Sequence, residues 1–392
     1  MLSYIIRRLL LMIPTLLGIT LLVFLVMGLA PGGVAGAMLS AQGNMRPQER
    51  KEREEYLNKR FGLDKPLLVQ YGRWLNRVSP VGFQTYADDD PAVAAAAKEA
   101  AARARELPPG APPPKPRVAP GDVRFARPTV KWPDLGNSFL RNRPVGAIVR
   151  DALPITLLLN LTTIPIAYAI AVTTGIYAAR HRGKTFDVAS GTTFLALWSI
   201  PTMWTGVMAI GFLANRDFLS WFPTSGLHDL RAASMPFLPG FGDGGAFERG
   251  WLLDTLWHLT LPILCLVYAE FAFLTKLMRS SMLENLAADF ARTARAKGLS
   301  ENVVLFRHVL SNSILPLITV AAATVPALLG GSIVIEQIFS INGMGRLMIE
   351  AIFTREQEIV LSVTLVVSIV TVVSLLVADI LYAVADPRIS YD

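Results

Sequence analysis

The residues of this chain that could carry chemistry are few and scattered. The four histidines are His181, His228, His258 and His308. They fall in different segments, with no paired spacing for a metal and no nucleophile to activate. Gly183-Lys184-Thr185 has the ending of a phosphate-binding loop, but Ala178 stands where that motif needs glycine, and an apolar run precedes it instead of a strand. We therefore expect no catalytic residue, no metal site and no cofactor bound by this chain itself.

The composition points to a membrane protein. Of the 392 residues, 52% are hydrophobic and only 17% are charged, and the mean hydropathy is +0.44. A single cysteine, Cys265, lies inside an apolar run, so neither a disulfide framework nor a thiol metal site is expected. The net charge is +7, but the cations lie mostly at the edges of apolar runs and form no basic and aromatic array. Membrane lipid is thus the expected partner, not nucleic acid.

Six uncharged or nearly uncharged runs are long enough to cross a bilayer, which takes about 20 residues. The runs are 9–30, 152–179, 188–215, 255–279, 309–335 and 359–378. Of these, the fourth ends at Arg279 and contains two further charged residues, Glu270 and Lys276. The sequence therefore predicts an all-α membrane protein with about six transmembrane helices.

The first run has a rival interpretation as a cleaved signal peptide. Arg7 and Arg8 imitate its basic start, and Ala35-Gly36-Ala37 imitates its cleavage site. The apolar core is longer than the 7–15 residues, roughly, that a signal peptide needs. We therefore expect an uncleaved membrane anchor.

The short loops predict the orientation. Basic residues cluster before span one, between spans two and three (180–184) and between spans four and five (279–307). These three places share one side if six spans alternate, so the positive-inside rule puts them and both termini in the cytoplasm. The expected organisation is a first helix within 1–33, an external loop at 34–150, a five-helix core at 151–385 and a cytoplasmic tail at 386–392. Within the external loop, 87–128 reads as a loosely conformed Ala/Pro-rich insertion.

The cytoplasmic loop 280–308 contains a pattern of small residues. Ala287, Ala291, Ala294 and Gly298 fall at helical spacing, so one helix face would carry only small residues and let another surface come close. Gly298 should end this helix, and Ser300 should cap the next. On these residues alone, a docking face and a solvated loop whose alanines merely favour helix remain equally open.

The amino-acid sequence of the loop favours the docking interpretation. RTARAKG followed by FRHVLSNSILP resembles the "EAA" coupling loop of ABC-importer permeases, in the form found in the oligopeptide, dipeptide and nickel branch. Arg292 stands where the generic motif has Glu and Thr293 replaces its first Ala, as is typical of that branch. The segments RRLLLMIPTLLGITLLVFLVMGLAPGG and ADILYAVADPRI resemble the same family. The resemblance implies a type I ABC importer permease fold and these ATPase-coupling residues: Ala287, Ala291, Arg292, Thr293, Ala294, Arg295, Lys297 and Gly298.

The resemblance also implies partners. They are a second homologous permease, two ATP-binding subunits that hold ATP and Mg, and an external solute-binding protein, assembled at the cell inner membrane. Peptide is the expected cargo, with nickel or a metal chelate as the alternative. A gradient-driven secondary transporter or channel is the rival class, but it would need several acids at mid-membrane, and Glu270 alone is weak support.

Four residues are candidates for the translocation path. An ionised Glu270 within a span needs water or a partner, so it either lines the path, lies at an interface, or is locally paired or protonated. Pro326, Gly330 and Gly331 interrupt the fifth span, and such breaks survive where a cavity satisfies the backbone. Glu336 and Asp379 lie near span ends and are expected to reach the membrane surface.

Overall fold

The computed structural model describes residues 2–29, 48–49, 65–86, 90–105, 128–241 and 247–385, with positions 114, 116, 118 and 122. The helices used below are α1 Leu2–Leu29, α2 Leu67–Val78, α3 Pro91–Arg105, α4 Val145–Arg180, α5 Thr185–Ser199, α6 Thr202–Met208, α7 Gly250–Ala287, α8 Asp289–Ala296, α9 Glu301–Val303, α10 Leu310–Ser313, α11 Leu315–Gly330, α12 Ile333–Ile338, α13 Met344–Phe353 and α14 Gln357–Ala385. Two π-helical stretches, Ala209–Ala214 and Val304–Val309, continue α6 and α9, and Ala232–Ser234 forms a 3₁₀ turn.

Strands contribute little to the described part of the chain. Two antiparallel ladders of two strands each are present: β1 Val81–Gly82 with β2 Thr129–Val130, and β3 Gly240–Phe241 with β4 Phe247–Glu248. Val81 lies opposite Val130, and Gly240 lies opposite Glu248. Each ladder only closes a loop, so the fold is helical as predicted.

Within the described residues, five helical segments are long and apolar enough to cross a membrane, and a bent pair supplies a sixth. The five are Ile6–Leu29, Val145–Arg180, Gly250–Ala287, Glu301–Ile338 and Gln357–Val377. The pair is Thr185–Ser199 with Thr202–Ala214, bent by 87°. The prediction of about six spans is confirmed, and the third span is bent, a feature that the apolar run alone did not indicate. Pro201 has no N–H to continue the helix, and Ile200 before it is extended, with φ −84° and ψ 122°.

The bent pair crosses the bundle from end to end. Near its start, Asp187 contacts Arg279 of α7, and at its finish Ala214 packs in one cluster with Leu259. The 20 positions from Leu259 to Arg279 cover about 30 Å of helix, which is the thickness of a bilayer's hydrocarbon core. We infer that the pair is a broken span and not a re-entrant loop.

The chain divides into two compact units. The first comprises 1–16, 149–350 and 363–392. Its core lies along α7, whose buried side chains contact α4, α5 and the segments from α8 to α12. Helix α4 begins at Val145, six positions before the predicted start of the core. The predicted tail 386–392 lies outside the described residues.

The second unit comprises 17–148 and 351–362. Arg77 of α2 forms an ion pair with Glu358 at the start of α14, and Ser362 donates a 3.1 Å hydrogen bond to the carbonyl of Leu135. The predicted insertion 87–128 leaves and returns through the β1–β2 ladder. These contacts hold the described ends of the polar loop in place.

The insertion contains a helix that the sequence analysis did not predict. We expected a loosely conformed segment, but 91–105 forms the 15-residue helix α3. Its alanines are the strongest helix formers, and the Asp90 carboxylate accepts a 2.8 Å hydrogen bond from the N–H of Ala92 at its start. Alanine-rich sequence thus favours a helix here, and Val93 and Ala96 of that helix are buried.

Candidate functional site

The loop after α7 folds as two helices around a glycine turn, as predicted. Helix α8 ends in a Schellman motif, in which the N–H of Leu299 reaches the carbonyl of Ala294 at 3.3 Å and the N–H of Gly298 reaches that of Arg295 at 2.9 Å. Gly298 has φ +80°, a value that favours glycine. Ser300 occupies the cap position of α9, although its side chain makes no capping bond. The turn therefore fixes the direction in which α8 points.

The small face of α8 packs inward. Ala291 is 0% exposed and Ala294 is 6% exposed. Both belong to a core cluster with Met278 and Met282 of α7 and with a third group from the following helix. That group is Val304, Leu305 and Val309. The pattern correctly indicated a close approach, but the surface that approaches is the chain's own core. Because both alanines are buried against this core, their face is not exposed to another subunit.

Two residues of the predicted face lie elsewhere. Ala287 is the last residue of α7 and is exposed, and the chain turns at Ala288 (ψ 154°) before α8 begins. Gly298 lies beyond the end of α8. The predicted face of four small residues along one helix was therefore wrong, because the helix breaks between the first and second of them.

The outward face of α8 is basic and accessible. Arg292, Thr293 and Lys297 are exposed, and Phe290 is 39% exposed. The Arg292 guanidinium lies 3.4 Å from the carboxylate of Asp289, with both side chains largely in solvent, so this pair adds little stability. This face is the part of the loop that a partner can reach.

Arg295 braces the loop. Its Nε donates a 2.8 Å hydrogen bond to the Glu301 carboxylate, and its Nη1 donates to the carbonyl of Leu286 at 3.3 Å. It thereby ties α8 to the end of α7 and to the start of α9. Beside it lies a pocket of about 350 Å³, bordered by Arg180 and Arg182 and floored by leucines. The leucines are Leu283, Leu286 and Leu305.

A second ion pair, which sequence reasoning missed, joins α7 to the start of the bent span. Arg279 donates to both carboxylate oxygens of Asp187, through Nε at 2.5 Å and through Nη2 at 2.8 Å. The same carboxylate accepts a 2.9 Å hydrogen bond from the N–H of Gly183. Asp187 is 5% exposed although it lies next to a basic loop. The Asp187 carboxylate therefore links the loop at Gly183, the first turn of α5 and α7.

A tyrosine holds the break in the bent span. The Tyr268 hydroxyl of α7 donates a 2.9 Å hydrogen bond to the carbonyl of Ile200, which the break leaves without a helical partner. The Thr205 hydroxyl in turn donates to Tyr268 at 2.8 Å. A break within a membrane helix needs such partners, because lipid supplies none. No local sequence signal links these residues, which come from different spans.

Glu270 is half-buried in α7, two positions from Tyr268. Within the described part of the chain its carboxylate has no hydrogen bond and no ion pair, and Tyr168 lies close enough to interact electrostatically. The described residues therefore give no support to a local ion pair, one of the interpretations left open, and the other interpretations stay predictions.

Of the two glycines within span five, Gly331 has a structural explanation. Gly331 has φ +73°, and a Cβ there would lie 2.4 Å from Oε1 of Glu336. A Cβ at Gly330 would meet nothing within 4 Å. Pro326 lies within α11, and its side chain is outside the described part. Gly331 therefore forms part of a cradle, the space that holds the Glu336 carboxylate. The path roles of Pro326 and Gly330 stay predictions.

Glu336 occupies that cradle and is 0% exposed, so the expectation that it reaches the membrane surface was wrong. Its carboxylate accepts hydrogen bonds from Thr156 Oγ1 at 3.0 Å and from the N–H of Arg346 at 2.9 Å. It thereby caps the first turn of α13, where a negative charge is favourable. The side chain of Asp379, the other acid, lies outside the described part.

Among the residues that the structure describes, no group of three potential ligands could hold a metal ion. The four histidines all fall within this part. His228 and His258 each use Nδ1 in a local hydrogen bond, to Thr255 Oγ1 and to the Asp254 carbonyl respectively.

Comparison with known proteins gives this arrangement its context. Residues 171–391 match the family described as "Binding-protein-dependent transport system inner membrane component". The chain is 33% identical to the "Oligopeptide transport system permease protein AppB" of Bacillus subtilis (strain 168), with 100% of each chain covered. It is 31% identical to a "Putative peptide transport system permease protein" of Brucella suis biovar 1 and 32% identical to the "Dipeptide transport system permease protein DppB" of Alkalihalophilus pseudofirmus, again over 100% of each chain.

The apolar spans and the family match thus define a multi-pass membrane component of a transport system. This chain belongs to the family of binding-protein-dependent transport system inner membrane components. The family resemblance inferred from the loop is confirmed, and the rival class of a secondary transporter or channel is not favoured. As a permease subunit of a binding-protein-dependent ABC system, the chain works together with other subunits.

Proposed function

We propose that this chain is the membrane-spanning subunit of an ATP-driven importer of peptides. Relatives named for oligopeptide and dipeptide transport match it from end to end, which supports both the class and the cargo. The observation that carries the coupling role is the exposed basic face of α8 on a loop that is braced from both sides.

The proposed assembly contains a second homologous permease, two ATP-binding subunits and an external solute-binding protein. ATP and Mg are bound by the ATP-binding subunits, while this chain holds no cofactor, no metal and no catalytic residue. Both termini and the loop 280–308 face the cytoplasm, because the basic residues of the short loops then share one side.

In this proposal α8 is the element through which the ATPases move the membrane helices. Arg292, Thr293 and Lys297 contact the ATPase, while Ala291 and Ala294 transmit the motion. Since these alanines are clamped between α7 and the π-helix Val304–Val309, α8 cannot shift without carrying both elements with it. Arg295 holds α8 in place through its two hydrogen bonds, and Ala287 and Gly298 lie at the two ends of the moving segment.

The proposed path runs beside the middle of α7. Glu270 is the residue there that supports it, because its carboxylate is half-buried and unpaired in the described chain and therefore calls for water, cargo or a second subunit. Pro326 and Gly330 are assigned to the same path, with Gly331 serving mainly to accommodate Glu336.

The decisive experiment is peptide uptake by the complete importer in proteoliposomes, comparing wild type with the double variant Arg292→Glu/Thr293→Trp. Both side chains are exposed, so the chain should fold and insert normally. We expect uptake to fall at least roughly tenfold, which corresponds to about 1.4 kcal/mol of lost interaction, and the ATP-binding subunits to co-purify poorly.

The control is Arg231→Glu, an equally exposed charge reversal in the loop between spans three and four, which is assigned to the opposite side. It should leave uptake unchanged. Unchanged uptake in the α8 variant would refute the coupling role. Uptake of a metal chelate but of no peptide would leave that role standing and refute the cargo.

A further inference from the structure

Helix α2 packs one face along the second half of span one. The Tyr71 hydroxyl lies 2.9 Å from Thr20 Oγ1 and donates to the carbonyl of Leu17 at 3.1 Å, and its ring meets Phe24 edge-on at 5.4 Å. Closer to the end of the span, Gly28 lies against the side chain of Leu67, since a Cβ at Gly28 would be 2.7 Å from Leu67 Cδ2. The contacts therefore follow α1 from Leu17 to Gly28.

These contacts place α2 at membrane depth. Leu17 lies 12 positions before Leu29, the last residue of the span, which is about 18 Å along a helix axis. The hydrocarbon core of a bilayer is about 30 Å thick. A side chain that reaches the carbonyl of Leu17 thus extends well below the end of the span. The polar loop that we expected to lie outside the membrane includes a segment beside the hydrocarbon.

The side of α2 next to this contact is apolar. At 100° per residue, Leu68, Gly72 and Leu75 share one flank of the helix. Leu68 is 67% exposed, as are Leu22 (63%) and Val26 (62%) on span one itself. No charged residue of α2 lies on this flank. Exposed apolar side chains therefore lie both on span one and on the neighbouring flank of α2.

The other flank of α2 is polar, and its charges are neutralised. Arg73 forms an ion pair with Asp122, and Arg77 forms one with Glu358. Val69, between the two flanks and toward the polar one, is 45% exposed. A helix with one apolar side and one side of paired charges has the composition of a helix that lies at a membrane interface.

We propose that α2 is an interfacial membrane helix whose apolar flank, formed by Leu68, Gly72 and Leu75, rests on the acyl chains of phospholipids. The leaflet is the one at the Leu29 end of span one, which is the outer leaflet in the orientation given above. Lipid is the occupant because the flank adjoins a membrane span at hydrocarbon depth and offers neither charge nor hydrogen-bonding side chain to a protein partner. The inference does not depend on the cargo or on the ATPase contacts of α8.

The test compares two neighbouring positions in the complete importer reconstituted in phosphatidylcholine liposomes. Leu68→Cys and Val69→Cys, each in a Cys265→Ala background, carry a small fluorescent label on adjacent residues that lie about 100° apart around the helix. Nitroxides on the lipid acyl chains should quench the label at 68 at least roughly twice as strongly as the label at 69. Aqueous iodide should show the opposite preference.

The same labels also distinguish lipid from water or protein at position 68. If iodide quenches position 68 as strongly as it quenches 69, the flank faces water and the proposal is wrong. If position 68 is shielded from both quenchers, another protein covers it, which also overturns lipid as the occupant. Peptide uptake by both labelled importers, measured in the same liposomes, verifies that each is assembled and functional.

Discussion

Replacing Tyr268 by phenylalanine removes one hydroxyl group and with it both hydrogen bonds that hold the break between α5 and α6. The carbonyl of Ile200 loses its donor, and the Thr205 hydroxyl loses its better acceptor, keeping only the carbonyl of Pro201 at 3.4 Å. The ring of residue 268 stays in place. The change thus tests the hydroxyl and not the packing.

The expected cost follows from these two contacts. A hydrogen bond between membrane helices contributes about 0.6 kcal/mol on average and about 1.7 kcal/mol at most. A buried carbonyl left without a donor costs about 1–3 kcal/mol. Because Ile200 and Tyr268 are only half-buried, some water can compensate. We expect Tyr268→Phe to lower the free energy of unfolding by about 1–3 kcal/mol.

The assay is denaturant-induced unfolding of the full chain in detergent, followed by circular dichroism. Thr205→Val and the double variant complete a cycle, which should give a coupling energy of about 0.5–1.5 kcal/mol between the two hydroxyl groups. Tyr177→Phe is the matched control, since the ring of Tyr177 packs on His181 and Phe186 and those contacts survive the change. If Tyr268→Phe unfolds within about 0.3 kcal/mol of wild type, the hydroxyl does not hold the break and the reasoning fails.

Three further predictions use the same unfolding assay. Asp187→Asn should cost about 1–3 kcal/mol, less than a fully buried ion pair because Arg279 is 33% exposed; an unchanged midpoint would mean that the pair contributes nothing. Gly331→Ala should cost at least about 2 kcal/mol, from the positive φ and the clash with Glu336, whereas Gly330→Ala should be nearly neutral; equal effects would refute the cradle. Burial lowers the pKa of His228, so the folded state resists its protonation and stability should fall as the pH drops below about 6.5. His228→Gln should reduce this acid sensitivity, and an identical pH profile in the variant would contradict it.

Composition and run length were enough to predict the spans, because a membrane helix needs about 20 apolar residues whatever its neighbours are. The bend in the third span was not predicted. Pro201 is visible in the sequence, but a proline in a membrane helix does not by itself say whether the helix breaks. The partner that makes the break tolerable is Tyr268, which lies 67 positions away and shares no motif with Pro201.

The loop 280–308 shows a second limit of prediction from sequence. Small residues at helical spacing indicate that something packs closely, but not whether it belongs to the same chain. Ala291 and Ala294 were recognised as a contact face and assigned to a partner, while the structure gives that contact to Met278 and Met282. Spacing along one helix carries no information about the element that covers it.

Glu336 was missed for a third reason. An acid near a span end is usually at the membrane surface, and only its three-dimensional neighbours reveal otherwise. A signal was nevertheless present, because Gly331, Gly343 and Gly345 lie close to it in sequence, and each approaches either the carboxylate or its backbone surroundings. Glycines that cluster around a lone acid would have been reason to predict a buried cap.

In α8, the residues needed for folding and the residues available to a partner lie on opposite faces. The residues that keep the helix folded, Ala291 and Ala294, face inward, whereas Arg292, Thr293 and Lys297 contribute nothing to the core. The outward positions are therefore free to vary at little cost to folding. In the proposed assembly, exchanging these few surface residues would change which ATPase the permease accepts, and grafting them from a relative would build hybrid importers.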